Sequence, residues 1–326
     1  MIVPQYWAEA RAHARRDGRQ VTVRRFGWSD TGQADAQANA DARATEALGR
    51  LLAGEPLRRR EPKVPYNGAA GVPIREEVVA RHGDVVITRN SYGARCLNTP
   101  NVLFADIDFA RAGGRLVNCA IFLVLIGVAA LIGWAFSSWL LGAILAGAAM
   151  IANHQIAILE EYRVDQKARG KADAAARARI EQFAAAHPEW AFRVYRTPAG
   201  LRVLITHRPF DPNEPAVREV FAALGVDPLY ERMCLNQQCF RARVSPKPWR
   251  IGIDRHMKPR PGVWPVRPER LPERQAWIAD YEAAAEGFAA CEFVEAVGSG
   301  IVHPDVARVV KLHDELSGAT SGRPIA

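Results

Sequence analysis

From Leu116 to Ile151 the chain carries no Asp, Glu, Lys or Arg, and this run constrains the fold more than any other feature. As a single helix it would be about 54 Å long at about 1.5 Å per residue, well beyond a hydrocarbon core of about 30 Å. Two crossings therefore fit better than one. The break falls in Gly133-Trp134-Ala135-Phe136-Ser137-Ser138-Trp139, where aromatics suited to the headgroup level flank a small polar pair. The expectation is a transmembrane helical hairpin over 116–159, with spans from Leu116 to Ile132 and from Leu140 to Ile156. Gly142, Ala143, Ala146 and Gly147 place small residues at four-residue spacing, which lets helix backbones approach closely. Arg111 and Arg115 precede the hairpin while Arg163, Lys167, Arg169 and Lys171 follow it, so the positive-inside rule puts both ends in the cytoplasm. A buried soluble helical hairpin is the competing account, but the uncharged length is excessive for it.

The remainder has an ordinary globular composition, 49% apolar and 24% charged over 326 residues, enough to bury a real core. Its 43 Lys and Arg against 35 Asp and Glu give a formal charge of +8, a balance that favours anionic partners: nucleotides, nucleic acid or acidic lipid headgroups. An Ala- and Arg-rich bacterial composition explains the same charge without a ligand, and with the hairpin it suggests the bacterial inner membrane. Cys96, Cys119, Cys234, Cys239 and Cys291 are odd in number and scattered, which argues against a disulfide framework and for a reducing cytoplasm. Cys234 and Cys239 with His207 or His256 match no standard zinc spacing. The N-terminus reads as free of a secretory signal, because Gln5 and Glu9 interrupt its apolar residues and Arg11, Arg15 and Arg16 follow.

Four segments follow. Residues 1–62 read as an α/β extension: an amphipathic piece from Tyr6 to Arg15, a strand from Gln20 to Phe26, an Ala-rich helix capped by Ser29 or Asp30 and ending near Gly54, and a charged linker from Leu57 to Pro62. Residues 63–115 and 160–255 form the main α+β domain, interrupted by the hairpin at 116–159. Within it, Asp84 to Arg89 and Ala94 to Leu97 flank the turn Asn90-Ser91-Tyr92-Gly93. Val102 to Phe109 is an apolar strand, and Glu160 to Ala186 prolongs the second span until His187-Pro188 stops it. Phe192 to Arg196 and Leu201 to Thr206 form a hairpin about Thr197-Pro198-Ala199-Gly200. Pro215 to Leu224 is a helix closed by Gly225, and Cys239 to Val244 is a strand. From Val102 the order is strand, helix, strand, strand, helix, strand, which is the βαββαβ order of a ferredoxin- or RRM-like sheet with the hairpin inserted after its first strand. Residues 256–326 read as a Pro- and Arg-rich linker, helices over Gln275–Val297 and Pro304–Leu316, and a frayed end from Ser317.

Strand alternation puts Asp106 and Asp108 on one face and Leu103, Ala105, Ile107 and Phe109 on the other. Two carboxylates on so apolar a strand repel and need compensation, for which a divalent cation is a common remedy. The expected metal is Mg²⁺ or Mn²⁺, held by Asp106 and Asp108, the use being phosphoryl transfer on a triphosphate. Arg193, Arg202, Arg241 and Arg243 sit on basic faces of the other strands, and Lys247 and Arg250 flank Trp249 just beyond. Joined to the Asp106 face, they would contact phosphate oxygens while Trp249 stacks a base. A solvated sheet face and a Pro-rich linker explain the same residues without a ligand.

The element order, the Asp106-Ile107-Asp108 strand and the turn Thr197-Pro198-Ala199-Gly200-Leu201-Arg202-Val203 resemble the palm of the archaeo-eukaryotic primase and primase-polymerase superfamily over about residues 101–254. The resemblance implies an Asp-x-Asp metal motif and a turn leading into a nucleotide-binding strand. Arg202 and Val203 stand where that family has a His, His207 comes several residues later, and Asp254 is the candidate for its third acidic position. Three functions follow as expectations: a membrane-anchored, metal-dependent nucleotidyltransferase with Asp106 and Asp108 catalytic; a non-catalytic nucleotide- or nucleic-acid-binding protein; or a structural protein whose basic faces meet acidic lipid.

Overall fold

The structure, a computed structural model, describes residues 3–16, 18–61, 73–109 and 119–326. The chain forms two compact units, Met1–Asp108 with Arg179–Ala326, and Phe109–Ala178. The α+β class is as expected.

The first unit begins with a long hairpin, β1 (Tyr6–Arg16) and β2 (Arg19–Ser29), and helix α1 (Gln33–Leu52) packs on it. The N-terminal amphipathic piece is thus a strand, with Ala8 and Ala10 turned inward and Glu9 and Arg11 exposed. Those alanines bury against Ala36, Ala40 and Ala44. Side chains this small bring helix and strand backbones together, and Gly27 marks the tightest point. A Cβ there would lie 2.1 Å from Ala40 N and 2.4 Å from Ala36 O. The helix N-cap is Gly32 rather than Ser29 or Asp30, and the Ser29 hydroxyl instead accepts from Thr31 N–H. The charged linker is fastened to β2, because Glu61 accepts from Phe26 N–H at 3.0 Å and pairs with Arg43 at 2.7 Å; Pro62 lies outside the described residues.

Two four-stranded sheets follow. One runs β10 (Glu292–Gly298), β7 (Ala191–Arg196), β8 (Gly200–Ile205), β6 (Phe104–Asp108); the other runs β3 (Glu77–His82), β4 (Val85–Arg89), β5 (Arg95–Thr99), β9 (Phe240–Arg243). The expected four-strand βαββαβ sheet is therefore corrected at its last strand. β6, β7 and β8 share a sheet, but β9 pairs with β5. The physical reason is a side chain between the strands. Tyr230, on α5 (Pro228–Gln237), donates its hydroxyl to Phe104 O at 3.0 Å and accepts Arg241 N–H at 3.3 Å. The phenol occupies the place of a direct ladder.

The fourth strand of the first sheet comes from a segment expected to be helical. After α6 (Leu271–Ala285) the chain extends, and β10 pairs antiparallel with the outer edge of β7. Phe293, Val294 and Val297 are residue types that suit a strand, and the pairing covers an edge otherwise open. α4 (Pro215–Leu224) and α7 (Pro304–Ser317) form where the sequence indicates. The end of the chain is tied down rather than frayed: Ala289 N–H donates to Pro324 O at 3.0 Å and Ala326 N–H to Ala289 O at 2.9 Å.

The second unit holds α2 (Cys119–Ala135) and most of α3 (Trp139–Ala186), separated by a turn in which Ser138 N–H donates to Gly133 O at 2.9 Å. A Cβ on Gly133 would lie 2.9 Å from Gly142 Cα, so small residues permit close helix contact here. α3 is long and apolar enough to cross a membrane, and none of its apolar window is buried within the protein. Arg111, Arg115 and the start of the first expected span lie outside the described residues.

Gly27→Val should force α1 off the hairpin and destabilise the first unit by about 1–3 kcal/mol, whereas Gly49→Ala, with nothing within 4 Å of its Cβ position, should be neutral or mildly stabilising. Thermal unfolding of the two variants checks this, and equal effects would contradict the packing account.

Candidate functional site

Asp106 on β6 and Arg202 on β8 are directly opposed across the ladder, and their side chains meet as a fork. Arg202 Nε donates to Asp106 Oδ1 at 2.8 Å and Nη2 to Oδ2 at 3.2 Å. A third donor, Nη1, reaches Arg243 O at 2.9 Å and lies 3.4 Å from His313 Nε2. Arg202 is 3% exposed and Asp106 28%. Burial by itself would lower the Arg202 pKa, but the paired Asp106 carboxylate outweighs it and holds the guanidinium well above its ordinary value. Both oxygens of Asp106 therefore already have a cationic partner.

The same sheet face carries Phe104, Arg193, Tyr195 and Leu204 by register. α7 lies over this face. His313 is 5.3 Å from the Phe104 ring and 4.8 Å from the Tyr195 ring, and Asp314 receives Arg193 Nη2 at 2.8 Å. Asp108 ends β6 with an exposed side chain. Partial burial and the carboxylates of Asp106 and Asp227 push its pKa up, against Lys247 and Arg202. Among the described residues no group of three or more His, Cys, Asp or Glu is arranged to hold a metal ion.

The other expected phosphate contacts are distributed differently. Arg193 also donates to Tyr195 Oη at 2.9 Å. Arg241 is buried and forks onto Glu76 at 2.8 and 2.7 Å, with Asn98 Oδ1 at 3.1 Å. Arg243 donates to Ser245 O at 2.8 Å. These arginines satisfy the protein's own carboxylates and carbonyls, as buried guanidinium groups must. His207 packs between Trp190 and Phe210, with ring centroids 4.7 and 5.4 Å away. Burial, then the adjacent Arg208, pull its pKa down to about 4, so it is a neutral aromatic partner near neutral pH.

Lys247, Trp249 and Arg250 occupy a different setting. They surround a short 3₁₀ turn at Pro248–Arg250, beside a cleft of about 510 Å³ lined by Tyr92, Trp249, Ile253, Arg255, His256 and Arg260 among others. The Trp249 indole meets Tyr92 edge-on at 5.2 Å and has Lys247 Nζ 5.5 Å from its centroid. Trp249 is nevertheless 52% exposed. Two contacts hold the cleft wall. Trp277 Nε1 donates to Arg255 O at 3.3 Å, and Gly93, at φ +103°, lets the Asn90–Gly93 turn sit where a Cβ would lie 2.3 Å from the Trp277 ring. Arg255 is paired at the surface with Asp280. Asp254 lines this cleft as well.

Comparison with known protein families, curated proteins and solved structures finds no match. Sequence reasoning missed Glu76, Cys291, His313 and Asp314, because the pairing that makes them partners of the arginines joins residues up to 165 apart in the chain. The charge count gives the one available hint: several strand arginines on faces this apolar require carboxylates from somewhere.

Asp106→Ala should cost more stability than Arg202→Met, about 3–5 kcal/mol, since it strands a buried guanidinium while the converse leaves a carboxylate with access to water. The double variant should recover part of that loss. Denaturant titrations of the three variants measure this, and strictly additive losses would show that the pair is not coupled.

Proposed function

We propose that the protein is a membrane-anchored module that binds a nucleotide without metal-dependent catalysis. The observation that carries this reading is the Trp249 cleft, where a half-exposed indole and a set of cationic side chains share one concave site. An indole held edge-on by Tyr92 offers a stacking surface that tolerates any base. Arg255, His256 and Arg260 supply donors for phosphate oxygens. Arg255 is engaged by Asp280, but an exposed ion pair contributes about 0–1 kcal/mol and yields to a phosphate. A volume of about 510 Å³ lies within the range of small-molecule sites, roughly 300–1,000 Å³.

The Asp106–Arg202 fork supports the non-catalytic form of the reading. The strand and turn that resemble a primase-polymerase palm are kept, but Arg202 replaces the cation that a catalytic Asp-x-Asp motif would recruit. Anchoring is supported by α3, whose apolar side chains Trp139, Leu140, Ile144 and Ile151 are exposed. In this reading α2 and α3 cross the bilayer as a hairpin, with both termini cytoplasmic. Arg163, Lys167, Arg169 and Lys171 lie at the cytoplasmic surface within reach of acidic headgroups.

Purified protein should bind nucleoside triphosphates with equal affinity in the presence of Mg²⁺ and of chelator. Trp249→Ala and Arg260→Ala should each weaken binding about 5- to 50-fold, roughly 1–2 kcal/mol of stacking or charge-assisted bonding. Isothermal titration measures both. Binding that requires metal, and that Asp106→Ala plus Asp108→Ala abolishes, would instead support nucleotidyl transfer at the palm-like face. For topology, reporters fused after residue 326 and inserted between Ser137 and Ser138 should report opposite sides of the membrane, and same-side signals would end the two-span reading.

A further inference from the structure

Beneath α7 lies a second constellation that nucleotide binding does not use. Cys291, just before β10, has its sulfur 3.9 Å from His313 Nε2, and His313 Nδ1 is 3.0 Å from Asp314 Oδ1. Thiol, imidazole and carboxylate are thus aligned, with the Asp fixing the ring and the Nε2 edge turned to sulfur. Ser317, one turn further along α7 and 2% exposed, has a buried hydroxyl with no hydrogen-bond partner. The hydroxyl favours the charged form of Cys291, so an anionic sulfur would give this orphaned donor its acceptor. Arg202 Nη1, 3.4 Å from the same His313 nitrogen, adds a fixed positive charge that favours a thiolate over a thiol.

We propose that Cys291 is a redox modification site, oxidised by hydroperoxides to the sulfenic acid with His313 as its proton partner. The thiolate sulfur attacks one peroxide oxygen, an S–O bond forms and the O–O bond breaks. The departing hydroxide or alkoxide takes the proton that His313 received from the thiol. Sulfur is oxidised by two electrons and the peroxide is reduced to water or alcohol.

The chain contains its own controls. Cys96, Cys234 and Cys239 are also free and buried, and burial pushes each of their thiols up, Cys239 to about 12. Burial would do the same to Cys291, but the hydrogen bond from His313 and its charge, with Arg202 behind, hold the thiol below its ordinary value. Access does not require global unfolding. Cys291 is enclosed by the last residues of the chain, through Ala290 N–H to Ser317 O and Phe293 N–H to Ala319 O, both 2.8 Å. A cleft of about 360 Å³ already reaches Ala290, Ser317 and Gly318. Local release of the segment after Ser317 therefore admits a molecule the size of hydrogen peroxide while the sheet stays formed.

The experiment exposes the full-length protein in detergent to hydrogen peroxide with a cyclic-dione sulfenic-acid trap, and quantifies adducts at each cysteine by peptide mass spectrometry. Cys291 should be trapped at least about 10-fold faster than Cys96, Cys234 or Cys239. Its rate should fall about 10-fold in His313→Gln, and less in Asp314→Asn, which leaves the imidazole in place. The pH profile should move in these variants, since the groups acting on the sulfur are His313 and Ser317 on α7 and Arg202 on β8, while Asp314 holds the His313 ring and Arg193 and Tyr195 on β7 face that pair. Because His313→Gln can disturb the fold, the Cys239 rate serves as an internal gauge of opening in every sample. Equal trapping of Cys291, Cys96, Cys234 and Cys239, labelling of Cys291 only at denaturant concentrations that unfold the protein, or a Cys291 rate indifferent to both variants would overturn the proposal.

Discussion

Arg202 carries a full charge into the interior, and much of the first unit is arranged around the need to satisfy it. A guanidinium has five N–H groups in a fixed fork and cannot escape its charge by deprotonation. Here the fork meets Asp106 across the β6–β8 ladder, and Nη1 bridges to Arg243 O on β9. One side chain thereby joins the two sheets. It also fixes where α7 rests, because the same donor edge abuts His313. Removing the charge would leave the sheets without their polar link at this point, and removing Asp106 would leave it uncompensated.

The second sheet repeats the device. Arg241 reaches Glu76, and Arg274 reaches Glu77 with Nε 2.9 Å from the carboxylate. Each is a buried arginine fastened to an acid that precedes or begins β3. Such pairs contribute little net stability, because desolvation offsets most of the Coulomb gain. They do restrict register strongly. A slip of β9 along β5 would carry Arg241 away from both Glu76 and Asn98 and bury a charge alone. The Tyr230 hydroxyl between Phe104 and Arg241 imposes a similar limit on how closely β6 and β9 approach, and so accounts for two sheets where one might close.

Local sequence signals were sufficient for elements whose determinants are near in the chain. The β7–β8 hairpin follows from Thr197-Pro198-Ala199-Gly200, α4 from Pro215 and Gly225, and the end of α3 from His187-Pro188. Partner choice was not legible, because it depends on groups far away. Phe240–Arg243 has the alternation of a strand for either sheet, and Tyr230, Glu76 and Asn98 favour the pairing with β5. β10 falls within the stretch expected to be helical, Gln275–Val297, although Gly287 interrupts that run and the open β7 edge favours a strand. The candidate site shows the same division. Alternation along β6 and β8 brings Asp106, Asp108 and Arg202 to one face, whereas the closing of that face by α7 depends on His313 and Asp314, about a hundred residues further on.

The position of the apolar insertion also follows from the sheet. β6 and β7 each run antiparallel to β8, which lies between them, so they are parallel to one another. A parallel pair needs a crossover of a dozen or more residues, commonly a helix packed on the sheet. The last turns of α3 meet that need, with Phe183 6.1 Å from Phe192 and Arg179 Nε 3.1 Å from Leu224 O. A crossover is already a long excursion, and lengthening it adds closure entropy only logarithmically, about 0.6 kcal/mol per doubling. The strands on either side keep their register because β8 pairs with both. An apolar segment can thus be accommodated between β6 and β7 at small cost to the sheet, whereas the same insertion in the four-residue turn from β7 to β8 would separate two strands that pair directly with each other.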